Sequence, residues 1–148
     1  MEFNTTLNKE EFDKYIEEYI RTLDLETEKL DILGSSLNAL GYLVIAFSAE
    51  IDIHDIITNN EVDTTSAEAT VFGQFIIVIG YSILWVVSIR RVYSRELRNM
   101  YLDENNFLPA YEKLESAYLL SVFANLLRLE AFYEILLNRE NNIDDNNE

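Results

Sequence analysis

The side chains here that could do chemistry by type and spacing are few, and the first are those of the run Glu50-Ile51-Asp52-Ile53-His54-Asp55. It places the single histidine among three carboxylates. Such a set could ligate a divalent ion. On a strand Glu50, Asp52 and His54 would share a face, and on a helix His54 would face Glu50. As the only imidazole, His54 could also titrate near neutral pH. A short acidic run is more often a solvated loop, so no metal site and no cofactor are expected. There is no cysteine, which removes thiolate ligands, disulfides and cysteine nucleophiles. No glycine-rich phosphate loop, HExxH pair or nucleophile elbow occurs either, so the chain is not expected to be an enzyme.

The next candidates are amides and hydroxyls set among apolar residues. At ~100° per residue Ser35, Asn38, Tyr42, Ala46 and Ala49 share a helix face, flanked at heptad spacing by Gly34, Gly41 and Ser48. Further on, Gln74, Tyr81 and Ser88 lie seven apart beside Gly73 and Gly80. Two uses fit this pattern. Small residues let helices approach closely where lipid supplies no hydrophobic force between them, which makes Gly34, Gly41, Ser48, Gly73 and Gly80 helix-packing positions. Alternatively, Asn38, Gln74, Tyr81 and Ser88 of several copies line a polar path. A later row, Ala110, Ala117, Ala124 and Ala131, again repeats every seven residues and suits close helix packing.

The elements that must carry these residues read as long helices, because glycine and proline are scarce (4 and 1). Ile16, Leu23, Leu30, Leu37, Val44 and Ile51 recur at heptad spacing, with Phe12, Tyr19, Leu33, Leu40 and Phe47 in a parallel row. Asn8 and Glu11 have capping-box spacing. One helix is therefore expected over 9–53. Residues 32–49 and 69–89 carry no charge. At ~1.5 Å per residue they cover about 27 and 31 Å, close to the ~30 Å hydrocarbon core of a bilayer. The second helix is expected over 68–102, with a break near Asp103 to Asn106. Pro109 suits the first turn of a third helix over 109–138. Arg128, Glu130 and Glu134 argue against a third transmembrane span. Residues 1–138 thus read as one helical domain, and the acidic tail 139–148 as disordered.

Charge placement gives the expected topology. The net charge is −16 with 49% hydrophobic residues, yet all eleven Lys and Arg lie at or before Lys29 or at or after Arg90. The connection between the spans is acidic, including Glu61 and Asp63. Arg90, Arg91, Arg95 and Arg98 follow the second span and anchor its end in the cytoplasm, and Lys14, Arg21 and Lys29 hold the N-terminus there too. The expected fold class is all-α: an integral membrane helical hairpin with two transmembrane helices, long cytoplasmic extensions and a C-terminal cytoplasmic helix. Both termini are then cytoplasmic in a multi-pass cell-membrane protein. Acidity excludes nucleic acid as a partner.

This layout of a cytoplasmic helix, two membrane helices, the basic stretch RRVYSRELR (Arg90 to Arg98) and a cytoplasmic helix resembles the SLATT-type two-transmembrane effector modules of bacterial conflict systems. The resemblance implies an oligomeric, membrane-disrupting or pore-forming effector controlled by a separate partner. The expected function is accordingly a self-associating, non-catalytic membrane effector whose partners are lipid and further copies of itself. A membrane-anchored adaptor docking a cytoplasmic protein is the first alternative. A soluble acidic helical bundle that binds proteins is the second.

Overall fold

A computed structural model describes residues 9–58 and 64–147, and builds them as three helices, α1 (Lys9–Thr58), α2 (Thr65–Tyr101) and α3 (Leu108–Asn147). Among the described residues there is no strand. Asn8 of the expected capping box, and Glu61 and Asp63 of the acidic connection, lie outside the described residues.

The heptads explain α1. Ile20, Thr27, Gly34, Gly41 and Ser48 are buried at every seventh position, and the row from Ile16 to Ile51 is half-buried beside them. Phe12, Tyr19, Leu33, Leu40 and Phe47, the parallel apolar row, point outward. α2 answers with its own heptad of buried residues, Ser66, Gly73, Gly80, Val87 and Ser94. The two helices run antiparallel, with the Phe12 and Tyr101 rings edge to face at 5.8 Å at one end. At the other end Ser48 Oγ donates to the Ser66 carbonyl at 2.6 Å. α1 continues through the Glu50–Asp55 run to Thr58, so that run is helical and neither strand nor loop.

α2 stops in a braced turn. The Leu102 and Glu104 amides both donate to the Arg98 carbonyl, at 2.9 and 3.4 Å, and Asp103 takes φ 52°. This is the left-handed closure typical of helix ends, and aspartate tolerates it better than most residues. Asn99 Oδ1 accepts from the Asn106 amide at 2.8 Å, holding the reversal. α3 then begins at Leu108, with Pro109 in its first turn.

α3 packs antiparallel along α2, from Arg95 over the Tyr111 ring to Arg139 beside Ser66. The ends of α1 and α2 beyond the uncharged runs pack on each other, with Ile20 fully buried and Asp24 on Ser94 and Arg98, while Tyr15, Leu25 and Met100 stay exposed. α2 is the middle helix, and α3 reaches α1 through Arg139 and Asp52. The Arg139 end of α3 therefore lies beside the α1–α2 connection, at the opposite end of the bundle from Lys9. α3 also runs to Asn147, through the tail expected to be disordered.

Burial in this bundle is inverted. Among the described residues, the eight buried polar ones (Thr27, Asn38, Ser48, Ser66, Gln74, Ser88, Ser94, Asn125) outnumber the seven buried hydrophobic ones, while Ile32, Leu43, Phe47, Phe72, Leu120, Phe123 and Leu127 are exposed. Two helices, α1 and α2, are long and apolar enough to cross a membrane.

Candidate functional site

All four glycines of the chain meet in the α1–α2 seam, in two reciprocal pairs. A Cβ on Gly34 would stand 3.0 Å from the Gly80 carbonyl oxygen, and one on Gly80 2.9 Å from that of Gly34. Gly41 and Gly73 oppose each other in the same way at 2.6 and 2.8 Å. One turn pair further on, Ser48 continues the register onto Ser66 and shares a 2.6 Å hydrogen bond with Thr70. A Cβ would fall within 3.0 Å of a neighbour at Gly41, Gly73 and Gly80, and the contact is backbone against backbone. Gly34, Gly41, Ser48, Gly73 and Gly80, read from the sequence as helix-packing positions, all lie in this seam.

Asn38 lies in this seam too, its side chain laid on Gly80 and its Oδ1 buried without a hydrogen-bond partner. Gln74 lies in the other seam. Its Nε2 donates to both the carbonyl oxygen and Oδ1 of Asn125, each at 3.0 Å, and Asn125 Nδ2 donates back to the Ser121 carbonyl at 2.8 Å. Ser88 is buried with its Oγ donating to the Trp85 carbonyl at 2.6 Å, and Tyr81 is half-buried. Of the four candidate pore-lining residues, Asn38 and Gln74 thus lie in different seams of the bundle. Asn125 is the residue the sequence reading did not pair. The available signal was a lone amide in an apolar stretch on each of two helices, which needs only one partner to be satisfied.

Charged groups form a layer at each end. At the first, Arg91 Nη2 contacts Glu28 at 2.9 Å and Asp31 at 2.5 Å, Arg90 contacts Glu26 at 3.6 Å, and Arg98 contacts Asp24 at 2.8 Å and Glu104 at 3.3 Å. Arg95 is stacked on Tyr111, 5.4 Å from the ring centroid. Burial works to raise the Asp24 pKa, but the hydrogen bonds from Ser94 and Arg98 outweigh it and hold the carboxyl below its ordinary value. Burial likewise opposes charge on Arg91, and the Glu28 and Asp31 carboxylates more than restore it, raising its pKa. Of the four arginines read as topology anchors, Arg90, Arg91 and Arg98 thus pair α2 with α1, and Arg95 joins α2 to α3.

At the second end Ser66 Oγ donates to Asp52 at 2.5 Å, and Arg139 reaches both, at 2.8 Å from Ser66 Oγ and 3.4 Å from Asp52 Oδ1. His54 is exposed and 3.5 Å from Asp55, so the helix turns Asp52 and His54 to different neighbours. No group of three or more potential metal ligands gathers among the described residues.

α3 leaves much of its surface uncovered. Ala110, Ala117, Ala124 and Ala131 are all exposed, so within the chain the alanine row packs against nothing. On another side Val71, Phe72 and Phe75 of α2 and Leu129, Tyr133 and Leu136 of α3 border an open apolar groove of about 620 Å³. Comparison with protein-family models, with curated proteins and with solved structures finds no match to this chain.

Proposed function

We propose that this chain is an integral membrane protein that acts by self-association within the bilayer and not by catalysis. One observation carries the reading: the most apolar 18-residue window of α1 is only 17% buried in the bundle. A helix that served as the core of a soluble bundle would hide such a window from water. Here the polar side chains are inside and the apolar ones outside, which is the arrangement lipid favours. The corresponding window of α2 is 44% buried, as suits a middle helix.

In this reading the Arg90, Arg91, Arg95 and Arg98 layer and the N-terminus face the cytoplasm. α3 returns beside α2, so its Arg139 end falls on the side of the α1–α2 connection. This replaces the expectation that both termini share a side. The effector reading, which the SLATT-like layout also implies, then attaches to the outward surface of the bundle, because Asn38 and Gln74 are engaged within it. The adaptor alternative calls for an apolar groove on the cytoplasmic side. The groove at Phe72 and Leu136 lies towards the other end.

Purified protein mixed with liposomes should float with them, and remain bound through high salt and alkaline carbonate. Release by either wash without detergent would favour the soluble bundle. Dye-loaded vesicles separate effector from anchor: sealed vesicles, and cells unharmed by overexpression, would end the effector reading.

A further inference from the structure

The outward face of α3 is neither a lipid surface nor a covered one. Its longest stretch without a charge is the twelve residues Ser116 to Leu127. That is about 18 Å of helix, well short of a ~30 Å hydrocarbon core, whereas the charge-free runs of α1 and α2 come close to matching it. Lipid therefore suits the exposed sides of α1 and α2 and fits α3 poorly. The remaining occupant must accept charge as well as apolar surface.

The distribution of side chains around α3 says what that occupant is. Arg128 is exposed and makes no ion pair among the described residues, although Arg90, Arg91, Arg98 and Arg139 all do. Glu130 and Glu134 are exposed and, among the described residues, equally without an ion pair. At ~100° per residue Arg128 and Glu130 project about 200° apart, on opposite flanks of the outward face, yet only ~3 Å apart along the axis. The two flanks also differ in relief. The Arg128 flank carries the small side chains of Ala117, Ala124 and Ala131, all exposed. The other carries bulk that the bundle leaves exposed, Phe123 at 57% and Leu127 at 67%.

We infer that the Arg128 flank of α3 docks against the Glu130 and Glu134 flank of a second copy of this chain. The contact rests on the membrane reading above in one respect: copies inserted in the same direction have parallel α3 helices, so Arg128 of one comes to the level of Glu130 of the next, with Glu134 about 9 Å further along the axis and within the reach of the long guanidinium side chain only on a small axial offset. Opposite charges pair, and Phe123 and Leu127 fill the space above the alanines. Because the two flanks are different surfaces, the contact is head-to-tail, and it repeats from copy to copy into a ring or a row. Charge in α3 is then neutralised between copies instead of facing lipid.

Charge reversal tests this. In detergent micelles, size measured by light scattering should show an assembly for the natural chain. Arg128→Glu should weaken association roughly tenfold or more, as should Glu130→Arg combined with Glu134→Arg. The triple variant carrying all three reversals should reassemble, which a merely misfolded chain would not do. Natural protein that is a single chain in micelles, or reversals that leave the size unchanged, would overturn the contact. Liposome flotation of the same preparations keeps the two readings separable. Assembly without flotation sinks the membrane reading alone, and flotation with reversal-insensitive size sinks this contact alone.

Discussion

Asp24 shows how single residues hold one end of the bundle. Its carboxylate accepts from Ser94 Oγ at 2.5 Å and from Arg98 at 2.8 Å. Its pKa is below the ordinary 3.8 in the folded chain. A depressed pKa means that the folded form binds the proton less readily than the unfolded one. The contribution to stability is therefore complete above the ordinary value and is lost as pH falls through the folded value. The site is partly exposed, which moderates the effect. Asp24→Asn should lower stability near neutral pH by roughly 1–2 kcal/mol, followed as helix signal during denaturant titration in micelles. The gap between variant and natural chain should close as pH drops below about 4. A gap independent of pH would show that the charge is not what Asp24 contributes.

At the scale of elements, the α1–α2 seam turns on how much room each glycine has. Alanine in place of a helical glycine gains about 1 kcal/mol of helix propensity, so substitution is costly only where the Cβ has no space. At Gly41 a Cβ would meet Ile77 Cγ1 at 2.5 Å and the Gly73 carbonyl at 2.6 Å, and the backbone atom cannot move aside without parting the helices. At Gly34 the nearest atoms stand at 3.0 Å and two of the three belong to the flexible Leu84 side chain. Gly41→Ala should therefore destabilise the bundle by about 1–3 kcal/mol. Gly34→Ala should be close to neutral. Thermal unfolding in micelles ranks the two, and equal tolerance would mean that the seam is looser than these distances describe.

For the whole molecule the decisive feature is that α3 lies along α2 from Tyr111 to Arg139. Under the membrane reading proposed above, the chain end falls on the side of the α1–α2 connection. Single cysteines can be introduced without background, because the chain has none. An impermeant thiol reagent on intact cells should label Asn60→Cys and Asn142→Cys alike, and leave Thr5→Cys unlabelled until the cells are opened. Labelling at residue 60 but not at 142 would detach α3 from α2 in the membrane while leaving the α1–α2 hairpin in place.

The sequence by itself determined that this is an all-helical chain. Scarce glycine and proline and unbroken heptads favour nothing else, and two uncharged runs of near-bilayer length are local properties that no packing alters. It also marked Gly34, Gly41, Gly73 and Gly80 as contact positions, since side-chain absence at heptad spacing has few other uses on a helix. Which row of α1 turns inward was decided by tertiary structure: Ile16 to Ile51 and Phe12 to Phe47 have the same period, yet the buried row is Ile20, Thr27, Gly34, Gly41 and Ser48, with the first apolar row half-buried beside it and the second exposed. Tertiary structure alone also joined Gln74 to Asn125, 51 residues apart. A buried amide demands a partner but does not name it, and that pairing lies in the seam of α2 and α3. The same packing turned Ala110, Ala117, Ala124 and Ala131 outward. A periodic stripe says that a helix has a face, and only the fold says what that face meets.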